Sequence, residues 1–136
     1  MTRIRTPKPG ARYYLPKYQY RTVVNFCFQY RELKDQLQAL DGWHSKGIDG
    51  MPHGNGTSDP VANEVIKREE IIRKIEIIEN AVRENTNDVM YPYMIKGITE
   101  EECTYNYLAN VLRIPMGKNA YTVLKRKIYY DISKYI

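Results

Sequence analysis

Residues 98–136 read ITEEECTYNYLANVLRIPMGKNAYTVLKRKIYYDISKYI, and this stretch decides the fold. Thr99 followed three residues later by Glu102 has the form of a capping box. In that motif the hydroxyl accepts from a first-turn N–H and the carboxylate reaches back to the N–H of the capping residue. Ile98 and Cys103 stand where a hydrophobic staple would, and Glu100, Glu101 and Glu102 lie where the helix dipole favours negative charge. Leu108, Val111 and Leu112 give an i, i+3, i+4 stripe, which predicts a helix over 100–112. Pro115 stops it by pushing its predecessor out of helical geometry, and Gly117 permits a sharp turn. A second helix over 118–135 then carries Tyr121, Leu124, Ile128, Ile132 and Tyr135 as its buried stripe. Two helices joined by a tight turn are the layout of a helix-turn-helix, which places its second helix in the DNA major groove.

Another face of that second helix holds Lys118, Thr122, Lys125, Arg126 and Tyr129, with Asn119 at its edge. These groups suit a duplex. Lys and Arg neutralise phosphates, Arg and Asn read base edges, and a tyrosine hydroxyl donates to phosphate. The alternative is a solvated basic face on an ordinary core helix, since charge runs are often no more than that.

Charge is distributed unevenly along the 136 residues. The net charge is +5, yet residues 1–21 hold six cations and no acid, and residues 113–136 hold six cations and only Asp131. The intervening 22–112 carries nine cations against fifteen acids. Basic ends on an acidic middle point to an anionic partner gripped by the ends. Length predicts one domain with a sizeable core. Cys27, Cys103, His44 and His53 are too scattered for zinc-ligand spacing, so no metal or cofactor is expected. Free thiols fit a reducing cytosol, and no signal peptide or membrane span is read. Tyrosine occurs thirteen times, a residue whose ring packs while its hydroxyl stays at the rim.

The rest of the chain reads as helices with a loop between them. Residues 1–12 form a mobile basic arm whose Arg3, Arg5, Lys8 and Arg12 are candidate phosphate contacts. Tyr20, Val23, Val24, Cys27, Tyr30, Leu33, Leu37 and Leu40 make one continuous stripe, predicting a long first helix from about 17 to 40. Tyr13, Tyr14, Tyr18 and Tyr20 mixed with Arg12, Lys17 and Arg21 read either as a nucleic-acid platform or as a packed helix start. Residues 41–59 form a loop: with Pro60 they hold five glycines and two prolines, and they have no period. Ser58-Asp59-Pro60 opens a second long helix to about Glu84, with Val61, Val65, Ile72, Ile75, Ile78 and Val82 on one stripe. Its pairs Glu64–Arg68, Glu69–Arg73, Glu70–Lys74 and Glu79–Arg83 are in the favourable i, i+4 order. A short helix over 89–96 closes at Gly97. The expected divisions are therefore 1–12, 13–59, 60–88 and a helix-turn-helix unit over 89–136. The two long stripes serve either a homodimer or a hairpin in which each covers the other.

The order of these parts resembles the phage- and prophage-encoded transcriptional regulators of Gram-positive bacteria of the ArpU/RinA type. The likeness rests on a first helix, a Gly-rich linker with Met51-Pro52 and then Ser58-Asp59-Pro60, a long charged helix, and a sigma-factor-like C-terminal helix-turn-helix. It covers the chain from about Tyr13 onward. It implies transcription control of phage genes in a bacterial cytoplasm, with double-stranded DNA and RNA polymerase as partners. The turn Ile114-Pro115-Met116-Gly117-Lys118 departs from sigma-like helices, which open with a Ser or Thr cap, so base contacts do not carry over.

The expectation is an all-α, DNA-binding regulator. A DNA-packaging component of the small-terminase kind, or a protein-binding module, is the alternative. Two histidines within one glycine-rich loop give no defensible nucleophile, base or paired-carboxylate arrangement, so no enzyme is expected.

Overall fold

The structure, a computed structural model, describes residues 7–45 and 60–136, and these contain helices and no strand. Six helices follow in order: α1 Lys17–Phe28, α2 Tyr30–Ser45, α3 Pro60–Asn85, α4 Tyr91–Thr99, α5 Tyr105–Asn110 and α6 Lys118–Ser133. The glycine-rich linker expected between the long helices lies outside the described residues, as do Met51-Pro52 and the cap Ser58-Asp59. Among the described residues no helix is long and apolar enough to cross a membrane.

The first long helix is two helices. The chain breaks at Gln29, whose N–H bonds back to Phe26 O at 3.1 Å while Leu33 N–H restarts the ladder on Gln29 O at 2.8 Å. The reason lies in the phase of the apolar stripe. On a straight helix Leu33, Leu37 and Leu40 would face a direction about 120° round from that of Tyr20, Val23, Val24 and Cys27. Breaking the helix once lets each half face its own core. Tyr20, Val23, Val24 and Cys27 of α1 enter the main core, while Leu33 of α2 joins Ile71 and Ile75 of α3 in a smaller one.

The long α3 therefore serves both cores. Its first half pairs with α2, and its last turns bring Ile78, Ala81 and Val82 into the main core. The helices α2 and α3 pack on each other, leaving Val65 and Ile66 exposed. Two of the expected i, i+4 ion pairs of α3, Glu64–Arg68 and Glu79–Arg83, have members engaged by tertiary partners. Arg68 bonds Asp41 of α2 at 2.9 Å, Glu79 accepts from Tyr30 Oη at 2.5 Å, and Arg83 lies over the Tyr91 ring. Contacts between elements fix tertiary position, which pairs within one helix do not.

The main core is completed by Met94 and Ile98 of α4, Leu108 of α5, and Tyr121, Ile128, Tyr129 and Ile132 of α6. Each fully buried Ile or Leu here contributes about 1.5–3 kcal/mol. The helices α4 and α6 each close on α1 and α3, and α5 packs on α4. The short helix does not stop at Gly97. It runs on to Thr99, and Gly97 sits inside it where α4 meets α6: a Cβ there would collide with Tyr121 Oη and press on Leu108 Cδ1 at 3.3 Å. Thr99 does not open the next helix either. It is buried at the end of α4, and its Oγ1 donates to Ile95 O at 2.6 Å. The cap of α5 is Thr104, whose hydroxyl accepts from Tyr107 N–H at 3.2 Å. The helix expected over 100–112 thus shrinks to six residues, with Leu108 buried and Val111 exposed.

Candidate nucleic-acid interface

Between α5 and α6 the connection spans seven residues, Val111–Gly117, longer than the three or four of a tight helix-turn-helix. It is nevertheless pinned. Arg113 takes φ +60°, which lets Ile114 N–H return to Leu108 O at 2.9 Å, and Ile114 is buried. Tyr105 Oη donates to Met116 O at 2.7 Å and fixes the last part of the turn. The N-terminus of α6 is thereby held in place while its first residues stay in solvent.

Gly117 caps α6 with no side-chain hydrogen bond, so the first-turn N–H groups remain available to a partner. Lys118, Asn119 and Ala120 are exposed. Thr122 is half-buried and its Oγ1 donates to Lys118 O at 2.9 Å, so the hydroxyl keeps acceptor capacity. Arg126 is half-buried two turns along. Val123, 48% exposed, was missed by the sequence reading. The signal was its spacing: 119, 123, 126 and 130 follow one another at helical steps on the side away from Tyr121, Ile128 and Ile132.

Two of the expected contact residues occupy other places. Tyr129 is only 1% exposed and meets Tyr20 edge to face at 5.4 Å between ring centres, so its hydroxyl does not face outward. The sequence stripe ran through Tyr135 instead, which is 64% exposed. The buried side of α6 is rotated because α1 covers one flank and α3 the other. Lys125 is half-buried with its ammonium 5.7 Å from the Tyr121 ring centre and 5.9 Å from that of Tyr129. Burial lowers its pKa, with the thiols of Cys103 and Cys27 acting weakly the other way. Lys125 is as much a packing group as a charged contact.

Lys118, Thr122, Lys125 and Arg126 do come together, along one wall of a trough of about 490 Å³. Tyr20, Val24 and Phe28 of α1 line it too, as do Glu100 and Glu101. The expected basic face is therefore concave, and the crest of α6 is the line Asn119, Val123, Arg126.

Lys127 of α6 and Lys134 just past its end are neutralised. Lys127 bonds Asp131 at 3.0 Å and Asn85 at 2.6 Å, and Lys134 lies 3.9 Å from Asp131. Burial alone would raise the Asp131 pKa, but hydrogen bonds from Asn85 and Lys127 and the charges of Lys127 and Lys134 together hold it below its ordinary 3.8. Among the described residues Lys118, Lys125 and Arg126 make no ion pair. Along α6, unneutralised positive charge therefore lies between Lys118 and Arg126.

The basic arm is a strap where it is described; Arg3 and Arg5 lie outside the described residues. Pro7 is buried, Ala11 N–H bonds Lys8 O at 3.0 Å around Gly10, and Leu15 enters the core. Tyr13, at φ +62°, lays its ring on Tyr130 of α6 at 5.8 Å, with Arg12 above it at 5.1 Å. Lys8 and Arg12 are exposed on a segment fastened to the body. Cys27 and Cys103 are free and buried.

Comparison with protein-family models, curated proteins and solved structures finds no match. The reading of this surface rests on its own residues.

Proposed function

We propose that the protein binds duplex DNA sequence-specifically through the N-terminal half of α6 and acts as a transcription regulator of the phage or prophage kind that its order of parts resembles. The observation that carries this is the concentration of unpaired cations, uncapped N–H groups and exposed polar side chains on one pinned helix start. Lys118 and the first N–H groups of α6 take a phosphate, Asn119 and Thr122 reach base edges, and Arg126 reaches a base or the backbone. Val123 on the same crest meets a thymine methyl. Lys125 contributes charge from within the trough and supports the helix beneath it. RNA polymerase is the protein partner that the resemblance brings with it.

The test is selection of bound sequences from a pool of random duplexes with the purified chain. A recovered motif, bound more tightly than random duplex, supports the proposal. Recovery of no motif, with equal affinity for every duplex, rejects sequence-specific regulation.

A further inference from the structure

Residues 7–28 carry Lys8, Arg12, Lys17 and Arg21 and no acid. Within this segment the tyrosines divide. Tyr20 is committed to the core and Tyr13 to Tyr130. Tyr18 instead projects from the first turn of α1, 73% exposed, and Tyr14 beside it is also exposed. The Lys17 ammonium stands 5.5 Å and the Arg21 guanidinium 5.7 Å from the centre of the Tyr18 ring. Neither cation has an ion pair among the described residues. The aliphatic side chains of the segment, Leu15, Val23 and Val24, are all in the core.

A partner for this patch must offer flat aromatic faces and closely spaced negative charge. An unpaired nucleic-acid strand offers both, since each base has a face to stack and each link a phosphate. A duplex keeps its base faces stacked inside. An anionic lipid surface supplies charge but gains affinity from inserted apolar side chains, and this patch has no aliphatic group to insert. We infer that the strap and the first turn of α1 form a site for an unpaired strand, with a base stacked on Tyr18 and its flanking phosphates on Lys17 and Arg21. The long stems of Lys17 and Arg21 let both cations swing from the ring to phosphates when a base arrives. This site uses none of the α6 side chains assigned to the duplex and does not rest on that assignment.

Fluorescence anisotropy of the full chain tests this with a labelled oligothymidylate of roughly 12 nucleotides and an abasic strand with the same number of phosphates. The wild type should prefer the strand with bases by at least about fivefold. Tyr18→Ala should remove that preference and leave abasic affinity unchanged, while Tyr18→Phe keeps it. Lys17→Ala with Arg21→Ala should weaken both strands alike and flatten the salt dependence. Tyr18 is exposed, so these variants should fold, which far-ultraviolet circular dichroism verifies. Equal wild-type affinity for the two strands overturns the inference, as does a Tyr18→Ala variant that keeps the preference. Loss of the preference in Asn119→Ala overturns it too, by placing the stacked base on α6. Binding to anionic phospholipid vesicles without binding to either strand would assign the patch to a membrane instead.

Discussion

Gly97→Ala should destabilise the protein, although alanine is the better helix former. Within an exposed helix the change would stabilise by about 1 kcal/mol. At Gly97 the added methyl would collide with Tyr121 Oη and lie 3.3 Å from both Tyr121 Cζ and Leu108 Cδ1. Overpacking costs about 1–3 kcal/mol, and a collision with the Tyr121 hydroxyl belongs to the upper half of that range; less the helix gain, the net loss should be about 1–2 kcal/mol. The Tyr121 hydroxyl is itself buried with no hydrogen-bond partner. Tyr121→Phe therefore removes an unsatisfied group and should be neutral or stabilising by about 1 kcal/mol. In that background the space for the methyl is wider, and Gly97→Ala should cost about nothing, its helix gain offsetting the remaining crowding. The two changes should couple by about 1–2 kcal/mol in a double-mutant cycle. Equilibrium urea unfolding of the four proteins, followed by circular dichroism, gives the cycle provided the slope stays constant. A stabilising Gly97→Ala in the wild-type background, or additivity within about 0.3 kcal/mol, would refute the close approach of α4 and α6.

Three further outcomes follow from the same geometry. Thr104→Ala should cost about 1 kcal/mol in urea unfolding by removing the cap of α5, whereas Glu102→Ala should cost almost nothing. Equal effects would restore a cap at Thr99. Arg113→Gly should stabilise by about 1 kcal/mol, since φ +60° is strained for arginine and free for glycine; a lowered melting temperature would contradict that. Asp131 has a folded-state pKa below 3.8, so its contribution is present above that value and is lost as the pH falls through the lowered one. Asp131→Asn should thus cost less than about 1 kcal/mol at neutral pH, and variant and wild type should converge in acid. A gap that widens on acidification would show the sign to be wrong.

Legibility in the sequence followed the range of the forces involved. The helical class, the start of α3 at Pro60 and the start of α6 after Gly117 were readable because local signals set them. The break at Gln29 has no glycine or proline to announce it; it arises because one stripe must serve two cores. Thr99 read as a cap because a glutamate follows it at the right spacing, yet burial of Ile98 and Thr99 draws α4 past that point. Gly97 looked like a stop, since sequence does not show that Tyr121 lies across from it. On α6, charge and spacing placed Lys118, Asn119, Thr122 and Arg126 off the buried side, and there Lys118 and Asn119 are exposed and Thr122 and Arg126 half-buried. Tyr129 was misplaced because a tyrosine suits either side of a helix, and the choice was made by α1 packing over it. The strap over residues 7–16 was unreadable for a similar reason: one leucine and one tyrosine fasten it, with no period to mark them.

The central claim is that the start of α6 reads the duplex. Affinity for the selected duplex and for random duplex should be measured for the wild type, Asn119→Ala, Thr122→Ala, Arg126→Ala and a chain lacking residues 1–12. Asn119→Ala should lose about 1–3 kcal/mol on the selected site and little on random DNA, and removal of 1–12 should leave the preference between the two intact. If the deletion abolishes specific binding while the three α6 substitutions leave it untouched, the helix does not read the duplex and the account is wrong.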